Sequence, residues 1–196
     1  MKLVCGLGNP GREYAFSRHN IGYLLIDNLC ERFRIRLGGG KGDFLYGKAT
    51  FAHDNGKEDI VLSKPSLSMN LSGISVLQLV ERLNPGMENL LLVLDDVNLP
   101  FGKIRLRRQG SHGGHRGLES VIYQLGTDRF PRLRIGIGDA IDSYVLKEYV
   151  LEEFSEFERS RLPDVVEQAG GAVLTYLSEP IETAMSKVNG PDPDLS

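Results

Sequence analysis

Short apolar runs along the chain predict four strands. Residues 2–7 (KLVCGL) and 88–96 (ENLLLVLDD) are apolar nearly throughout, which is typical of buried strands. Residues 102–108 (GKIRLRR) alternate between apolar and basic side chains, and 131–138 (PRLRIGIG) also read as a strand. The strand at 88–96 ends in two carboxylates, so it carries polar groups to one edge of whatever sheet it joins.

Other segments place apolar residues at helical spacing. In 20–34 these are Ile21, Leu24, Leu25, Leu29 and Phe33. Helix-stop signals follow several of these segments, because Pro cannot continue a helix and Gly favours its end. The predicted helices are 20–34, 70–83 ending at Asn84-Pro85, 115–126 ending at Gly126, and a helical region from Ser143 onward that breaks at Pro163 and Pro180.

Residues 43–64 predict a β-hairpin. Its strands meet at Asn55-Gly56, and both residues tolerate the positive φ of a tight turn. Strands and helices therefore alternate along the chain with one hairpin among them. This order predicts an α/β fold, a single domain with a twisted mixed β-sheet and helices on both faces. We assign residues 1–189 to that single domain and 190–196 to a flexible C-terminal tail.

The composition of the 196 residues is that of an ordinary globular domain, with 41% hydrophobic and 25% charged residues. No apolar run approaches the roughly 18–20 residues that a membrane helix needs. The N-terminal run is too short for a signal peptide, so we expect a cytoplasmic protein with no membrane association. Cys5 and Cys30 lie in apolar periodic stretches and are expected to be buried thiols.

The net charge of −3 does not by itself indicate a nucleic-acid partner, but the positive charges are segregated from the acidic residues along the chain. Residues 102–117 hold five cations and no acid: Lys103, Arg105, Arg107, Arg108 and Arg116. A second basic group follows: Arg129, Arg132 and Arg134. A basic region on an acidic protein indicates a local anionic ligand.

The stretch GLGNPG at 6–11 matches the dinucleotide pattern G-x-G-x-x-G. Pro10 removes an amide donor from the middle of that loop, and no helix is predicted before about residue 20. The acid expected about 20 positions on should end a second strand, but Glu31 lies in the first helix. A phosphate loop fails too, because Arg12-Glu13 follows Gly11. The glycines instead let the backbone and Asn9 approach another group closely.

Polar residues gather where predicted strands end. Asp95 can accept from one imidazole nitrogen of His19, which would leave the other nitrogen as a base for water. Asn9 and Asn70 can donate to a carbonyl oxygen or hold a water without adding charge. No G-x-S-x-G serine motif is present, so the pattern indicates activation of water without a covalent intermediate.

Metal binding is the alternative interpretation of these residues. His112 and His115 form H-x-x-H, and Asp95 and Asp96 could complete a ligand set. A glycine-rich loop beside arginines is a poor place for a cation, so we predict no metal. The GLGNPG pattern also raises a further function, that of a nucleotide-dependent oxidoreductase. Titration with NAD or NADP would test it.

Four stretches together resemble the successive signatures of bacterial peptidyl-tRNA hydrolases. They are GLGNPGREYAFSRHNIG, SLSMNLSG, DDVNLPFGKIRLRRQGSHGGHRGL and FPRLRIGIG, in the family's order and covering nearly the whole chain. The resemblance implies a monomeric, cofactor-free hydrolase with no obligate protein partner. Its substrate would be prematurely released peptidyl-tRNA, bound by the acceptor stem and 3′ end and cleaved at the ester between the peptide and the 3′ ribose.

The resemblance also assigns roles to residues. The family's catalytic histidine and its carboxylate partner fall on His19 and Asp95, and its first-loop asparagine falls on Asn9. The remaining substrate positions fall on Tyr14, which lines the peptide end, on Met69-Asn70 and on His115. The cations that grip the tRNA 5′-phosphate and acceptor stem fall on Arg107 and Arg134. By charge we add Lys103, Arg105 and Arg108 to the tRNA-binding set.

Two positions depart from the family pattern. Directly after the histidine of GGH, where the family commonly has Asn, this chain has Arg116. Either another group replaces that amide, or Arg116 contacts tRNA or the peptide. The acidic pair is Asp95-Asp96 where Asp-Glu is common. A non-catalytic RNA-binding protein on the same scaffold, like the related plant organelle splicing factors, is the alternative function. The His19–Asp95 pair and the missing transit peptide argue against it.

Overall fold

Strands and helices alternate along the chain, as predicted. A computed structural model of the protein describes residues 1–54, 56–138 and 146–190. The strands are β1 (Lys2–Gly6), β2 (Gly38–Gly39), β3 (Phe44–His53), β4 (Gly56–Pro65), β5 (Leu90–Asp96), β6 (Ile104–Arg107) and β7 (Arg132–Gly136). The helices are α1 (Ile21–Phe33), α2 (Ser72–Leu83), α3 (Arg116–Leu125), α4 (Leu146–Leu151), α5 (Glu156–Ser178) and α6 (Ile181–Asn189).

The strands form one mixed sheet in the order β2-β3-β4-β1-β5-β7-β6. The four central strands β4, β1, β5 and β7 run parallel, while β3 and β6 pair antiparallel with β4 and β7. This confirms the predicted single α/β domain. The short strand β2 was not predicted, because two glycines carry no hydrophobic pattern. The carboxyl ends of the four parallel strands meet at one edge, where such sheets bind ligands.

Apolar residues on the two faces of the sheet pack beneath two layers of helices. On one face Leu91 and Val93 of β5 join a core with α1, α5 and α6. On the other face Leu90 and Leu92 join a core with α2 and α3. All seven residues of β5 are buried, which explains why its sequence lacks the alternation of a strand with one exposed face.

The glycines of the opening loop allow α1 to pack against it. A Cβ at Gly22 would collide with the carbonyl oxygens of Leu7 and Val93, and one at Gly6 would collide with the carbonyl of Gly22. A Cβ at Gly8 would meet the Tyr23 ring. The glycines of GLGNPG therefore serve helix packing, and they bring the residues just before α1 against the loop after β1.

The C-terminal helical region contains one error of prediction. Pro163 was expected to break a helix, but it lies inside α5. Proline removes one backbone hydrogen bond there, and a reciprocal cap between Ser155 and Glu158 starts the helix firmly. Buried apolar residues such as Val165 and Val166 then hold the helix against the core. The predicted break at Pro180 is correct, because that residue separates α5 from α6.

Other predictions fall partly outside the described chain. Residue 55 of the hairpin turn, residues 143–145 at the start of the predicted C-terminal helical region, and residues 191–196 of the expected tail are not described. Helix α6 ends at Asn189, and the domain boundary expected there stays a prediction. None of the helices within the described residues has the length and apolar character needed to cross a membrane.

Candidate active site

The polar strand ends meet at the carboxyl edge of the parallel strands. Asn9 follows β1, Met69 lies in a 3₁₀ turn after β4, and Asp95 lies at the end of β5. His19 lies in a second 3₁₀ turn, Arg18–Asn20, immediately before α1. Because α1 packs closely on the loop after β1, this turn is brought to the same edge. All of these side chains except that of Met69 are polar, and each is largely buried.

His19 and Asp95 form the pair that the sequence predicted. The Nδ1 atom of His19 lies 2.7 Å from Oδ1 of Asp95, and the His19 side chain is 10% exposed. The carboxylate accepts, so the neutral ring carries its proton on Nδ1 and has a lone pair on Nε2. Nε2 forms no hydrogen bond with any described residue. The arrangement can therefore hold a basic nitrogen ready for a proton from water.

A second histidine uses the same carboxylate oxygen, which the sequence did not reveal. Nε2 of His115 lies 3.0 Å from Oδ1 of Asp95. His115 is also the N-cap of α3, where its Nδ1 accepts the backbone N–H of Leu118 at 3.0 Å. A backbone N–H can only donate, so Nδ1 of His115 is unprotonated and Nε2 donates to Asp95. The helix cap thus fixes the tautomer of a histidine in the site.

Asp95 stays ionised in this environment. Burial by itself would raise the pKa of the Asp95 carboxyl, but His19 and His115 lower it well below its ordinary value of 3.8 through charge and hydrogen bonds. The side chain is 2% exposed, so few other groups compete for its lone pairs. A permanent carboxylate at this position favours the protonated form of His19 once a proton has been taken from water.

The lowered pKa of Asp95 predicts acid sensitivity of folding. A carboxyl that ionises more readily in the folded state stabilises it above the unfolded-state pKa, and that stabilisation is lost as the pH falls. We expect the free energy of unfolding to decrease more steeply below about pH 4 in the wild type than in Asp95→Asn. Urea unfolding of both proteins across this range measures the difference, and parallel curves would contradict the assignment.

Asn9 is oriented by the turn after β4. Its Oδ1 accepts the backbone N–H of Met69 at 2.7 Å, which leaves Nδ2 as the free donor of the amide. Asn20 holds the backbone of Asn9 on both sides, accepting from its N–H at 2.7 Å and donating to its carbonyl at 3.0 Å. No described residue accepts from Nδ2 of Asn9. This donor is therefore available to a bound molecule.

Three further predicted residues differ in their exposure. Met69 is buried, and its sulfur packs against Gly117 at the start of α3. It therefore forms part of the floor of the candidate site. Asn70 is exposed and accepts from the Ser68 hydroxyl at 2.9 Å, with no hydrogen bond to His19 or Asp95 within the described structure. Tyr14 is partly exposed at the end of the 3₁₀ turn Arg12–Tyr14.

Among the described residues, only part of the ligand set considered for a metal site comes together. His19, Asp95 and His115 offer ligand atoms within 4.8 Å of one another, whereas His112 instead accepts from the N–H of Gly114 at 3.2 Å. A histidine that binds a metal through Nε2 needs a proton on Nδ1. Nδ1 of His115 faces a backbone donor, so its surroundings oppose that state. The donor chemistry of this cluster fits a hydrogen-bonded relay better than a metal centre.

Neither cysteine is placed for nucleophilic chemistry. Burial raises the pKa of Cys5 to about 12 and that of Cys30 to about 11, and both thiols are free. Thiolate is the reactive form of cysteine, and it is scarce at these pKa values. Both residues belong to hydrophobic cores, as the sequence predicted.

Basic side chains cluster on one face of the edge strand β6 and its neighbour β7. Arg105 and Arg107 of β6 lie directly opposite Arg134 and Arg132 of β7, and opposed residues in an antiparallel pair share a face. Arg132 is buried and donates to main-chain carbonyls, so it serves the fold. Lys103 adjoins the edge that carries His19 and Asp95 through a bond between its carbonyl and the N–H of Gly136. From there β6 carries the cations along about 13 Å of strand.

Several of these cations already have acidic partners. Asp96 pairs with Arg134, whereas Asp95 binds two histidines. Arg108 pairs with Glu182 at 2.8 Å, and both side chains are more than 60% exposed. Arg116 pairs with Glu119 at 3.0 Å, with 76% of its side chain exposed. Exposed pairs of this kind are worth about 0–1 kcal/mol, so an anionic ligand can displace them.

The sequence interpretation missed two residues that flank His19. Arg18 and Asn20 are 7% and 2% exposed, and both form hydrogen bonds with distant segments. The signal was present, because a charged residue and an amide border a histidine in a stretch that closes onto an apolar helix. Arg18 binds residues 131–140 positions along the chain, and Asn20 binds Asn9 across the opening loop, so no local pattern showed what they bind.

Comparison with known proteins gives consistent matches along the full chain. The sequence model of the family described as Peptidyl-tRNA hydrolase matches residues 3–195. The chain is 42% identical over 190 residues to peptidyl-tRNA hydrolase of Caldanaerobacter subterraneus subsp. tengcongensis, covering 97% of this chain and 100% of that protein. The corresponding protein of Geobacillus thermodenitrificans is 40% identical over 189 residues, covering 96% and 100%.

A solved structure agrees with these matches. The crystal structure of peptidyl-tRNA hydrolase from Acinetobacter baumannii is similar to this chain with a TM-score of 0.87 and 32% sequence identity. The similarity covers 98% of this chain and 96% of that one. This solved structure therefore shares the fold of the chain over nearly its whole length.

Proposed function

This chain belongs to the peptidyl-tRNA hydrolase family, and from that premise we propose that it cleaves the ester between a peptide and the 3′ ribose of tRNA. The observation that carries the proposal is the 2.7 Å contact between His19 Nδ1 and Asp95 Oδ1. It leaves Nε2 of His19 as a base. In the proposed reaction Nε2 takes a proton from water, the resulting hydroxide attacks the ester carbonyl, and the ribose oxygen leaves with a proton returned by His19.

We assign the neutral amides to the reacting carbonyl and the water. Nδ2 of Asn9 is a donor whose direction is fixed by Met69 and Asn20. Such a donor stabilises developing negative charge without prior reorganisation, and one donor contributes about 3 kcal/mol in well-studied esterolytic sites. Asn70 is the second amide of the proposal. Its exposed side chain is held by Ser68 in the free protein and would turn toward the substrate on binding.

Four further residues complete the proposed substrate site. Tyr14 would line the peptide, Met69 would form the floor, and His115 would hold Asp95. Arg116 follows His115 in the sequence and is exposed. It would give up its ion pair with Glu119 and contact a phosphate or the peptide instead. Gly113 and Gly114, with φ of 55° and 84°, keep the neighbouring loop free of side chains, so the acceptor end can approach.

We propose that the basic face of β6 and β7 binds the acceptor stem. The set comprises Lys103, Arg105, Arg107, Arg108 and Arg134. The positions of Lys103, Arg105, Arg107 and Arg134 support this, because these cations begin beside the edge that carries His19 and Asp95 and continue away from it along one face. Arg108 alternates with Arg107 and pairs with Glu182 of α6, so it is included by its charge alone. Phosphate contacts of this kind supply affinity that depends on salt and is independent of sequence.

Removing two of these cations separates tRNA binding from chemistry. We expect Arg107→Ala combined with Arg134→Ala to raise KM for peptidyl-tRNA and to leave hydrolysis of a minimal peptidyl-adenosine ester nearly unchanged. The dependence of log KM on log salt should weaken by about 1–2 in slope. Arg32→Ala with Arg36→Ala removes the same charge from the end of α1 and the loop after it and serves as the control. Equal losses on both substrates would contradict the assignment.

The proposed chemistry needs only water and the side chains named above. Ester hydrolysis by a general base transfers no electrons, so we assign no cofactor and no metal to it. Since the site is completed by one chain, we further propose that the enzyme acts as a monomer without an obligate protein partner. Its substrate arises during translation, and we place its action in the cytoplasm.

Release of labelled N-acyl-amino acid from N-acyl-aminoacyl-tRNA tests the function directly. The proposal expects turnover by the wild type at neutral pH. Binding of the tRNA without release of the label would instead support a non-catalytic RNA-binding protein. Titration with NAD and NADP is a parallel check on the dinucleotide interpretation, and no binding is expected.

A further inference from the structure

Arg18 is buried beside the proposed base, and its bonds lead away from the site. Its side chain is 8% exposed, and Nη2 lies 2.9 Å from Oε2 of Glu158. Nη1 approaches the Tyr149 carbonyl at 3.3 Å and Glu152 at 3.4 Å. The guanidinium carbon stacks 4.1 Å from the centroid of the Tyr149 ring. Taken together, these contacts tie the turn before α1 to the end of α4 and the start of α5.

The main chain makes the same connection. The N–H of Arg18 donates to the Glu152 carbonyl at 3.0 Å, and the N–H of Phe154 donates to the Phe16 carbonyl at 3.3 Å. Ser17 and Glu153 form an isolated antiparallel bridge between these bonds. The segment 152–154 therefore lies alongside residues 16–18, and the Arg18 side chain fastens the end of this contact nearest His19.

The carboxylate that binds Arg18 is itself fixed by a helix cap. Oε2 of Glu158 accepts the N–H of Ser155 at 2.7 Å, while the Ser155 hydroxyl accepts the N–H of Glu158. Burial raises the pKa of Glu158, but the bonds from Ser155 and Arg18 lower it overall. Arg18 thus bonds to a rigid acceptor at the first turn of a long helix, and not to a freely rotating surface acid.

Three consecutive side chains of the turn reach three different parts of the molecule. Arg18 reaches α4 and α5, His19 reaches Asp95, and Asn20 reaches the backbone of Asn9. A single 3₁₀ turn is weak by itself, so its orientation depends on such anchors. We propose that Arg18 is a positioning residue, which holds the turn so that Nδ1 of His19 meets Asp95 and Nε2 faces the substrate.

This inference rests on the proposed function for its kinetic consequence, but its structural consequence can be measured separately. Loss of a residue that orients a catalytic group typically costs about 10- to 100-fold in rate. We expect Arg18→Met to lower kcat on the minimal ester by about that factor and to change KM by less than about twofold. Arg18→Lys keeps the charge without the fork or the stacking, and should recover only part of kcat.

A matched control comes from the same segment. Arg159 pairs with Glu153 and donates to the Phe154 carbonyl at 3.0 Å, and it forms no hydrogen bond with the turn Arg18–Asn20 in the described structure. Arg159→Met therefore removes a guanidinium from the neighbourhood without releasing the turn. We expect its kcat to equal that of the wild type within about twofold.

The decisive readout is the proton on Nδ1 of His19, observed by NMR and assigned by its absence in His19→Ala. In folded Arg18→Met or Arg18→Lys this resonance should move or broaden, and in Arg159→Met it should not. An unchanged resonance with unchanged kcat overturns the proposal, as does failure of both Arg18 variants to fold. If the wild type releases no label from N-acyl-aminoacyl-tRNA, the proposed function fails, while the resonance still decides the role of Arg18.

Discussion

His19→Ala is expected to reduce turnover of peptidyl-tRNA by about 10²–10⁴-fold, the usual contribution of a positioned general base. The reason is geometric. Among the residues that the structure describes, Nε2 of His19 alone combines a lone pair with a bond through Nδ1 to a buried carboxylate. Binding of tRNA should be nearly unaffected, because the proposed phosphate contacts lie on β6 and β7. Single-turnover hydrolysis and a filter-binding titration, run on the same preparation, measure the two properties.

His112→Ala is the control for this prediction. His112 lies in the same glycine-rich loop as His115, but its ring accepts from the N–H of Gly114 and, within the described structure, forms no hydrogen bond with Asp95. We expect wild-type hydrolysis within about twofold, since an isolated loop histidine contributes little. Wild-type turnover in His19→Ala, or a matching loss in His112→Ala, would remove His19 from the role of base.

Asp95→Asn is expected to lower kcat by about 10²–10⁴-fold while the protein remains folded. An amide can place its oxygen where Oδ1 now accepts from His19 and His115, so the hydrogen bonds can survive. The substitution does remove the negative charge, which in the wild type stabilises His19 after it has taken a proton. An amide that turns its NH₂ group toward His19 would also impose the wrong tautomer. Both effects reduce kcat, and the minimal ester should lose as much as the full substrate.

The neighbouring carboxylate provides the comparison for Asp95. Asp96→Asn makes the same chemical change one residue along β5, where the side chain binds Arg134 and the N–H of Asn98 instead of a histidine. We expect kcat on the minimal ester to stay within a few-fold of the wild type, with any change appearing in KM for tRNA. If Asp95→Asn and Asp96→Asn prove equally active on that ester, the relay proposed for Asp95 is wrong.

Much of the fold follows from periodicity, because burial imposes it. The helix predicted over 20–34 is observed as Ile21–Phe33, and the strand at 88–96 as Leu90–Asp96. The expectation that polar strand ends would meet was correct because parallel strands present their carboxyl ends at one edge. Pro163 was misjudged, since a local rule for helix breaking cannot weigh the core contacts that hold α5 in place.

The sequence by itself determined the order of the main strands and helices, the meeting of Asn9 and Asp95 at one edge of the sheet, and the segregation of basic residues. These depend on local periodicity and on the fixed geometry of parallel strands. Only the tertiary structure decided that His115 shares Oδ1 of Asp95 through a tautomer set by a helix cap, and that Arg18 bonds to Glu158. Such contacts join residues 20 and 140 positions apart, and no local pattern encodes the distance between them.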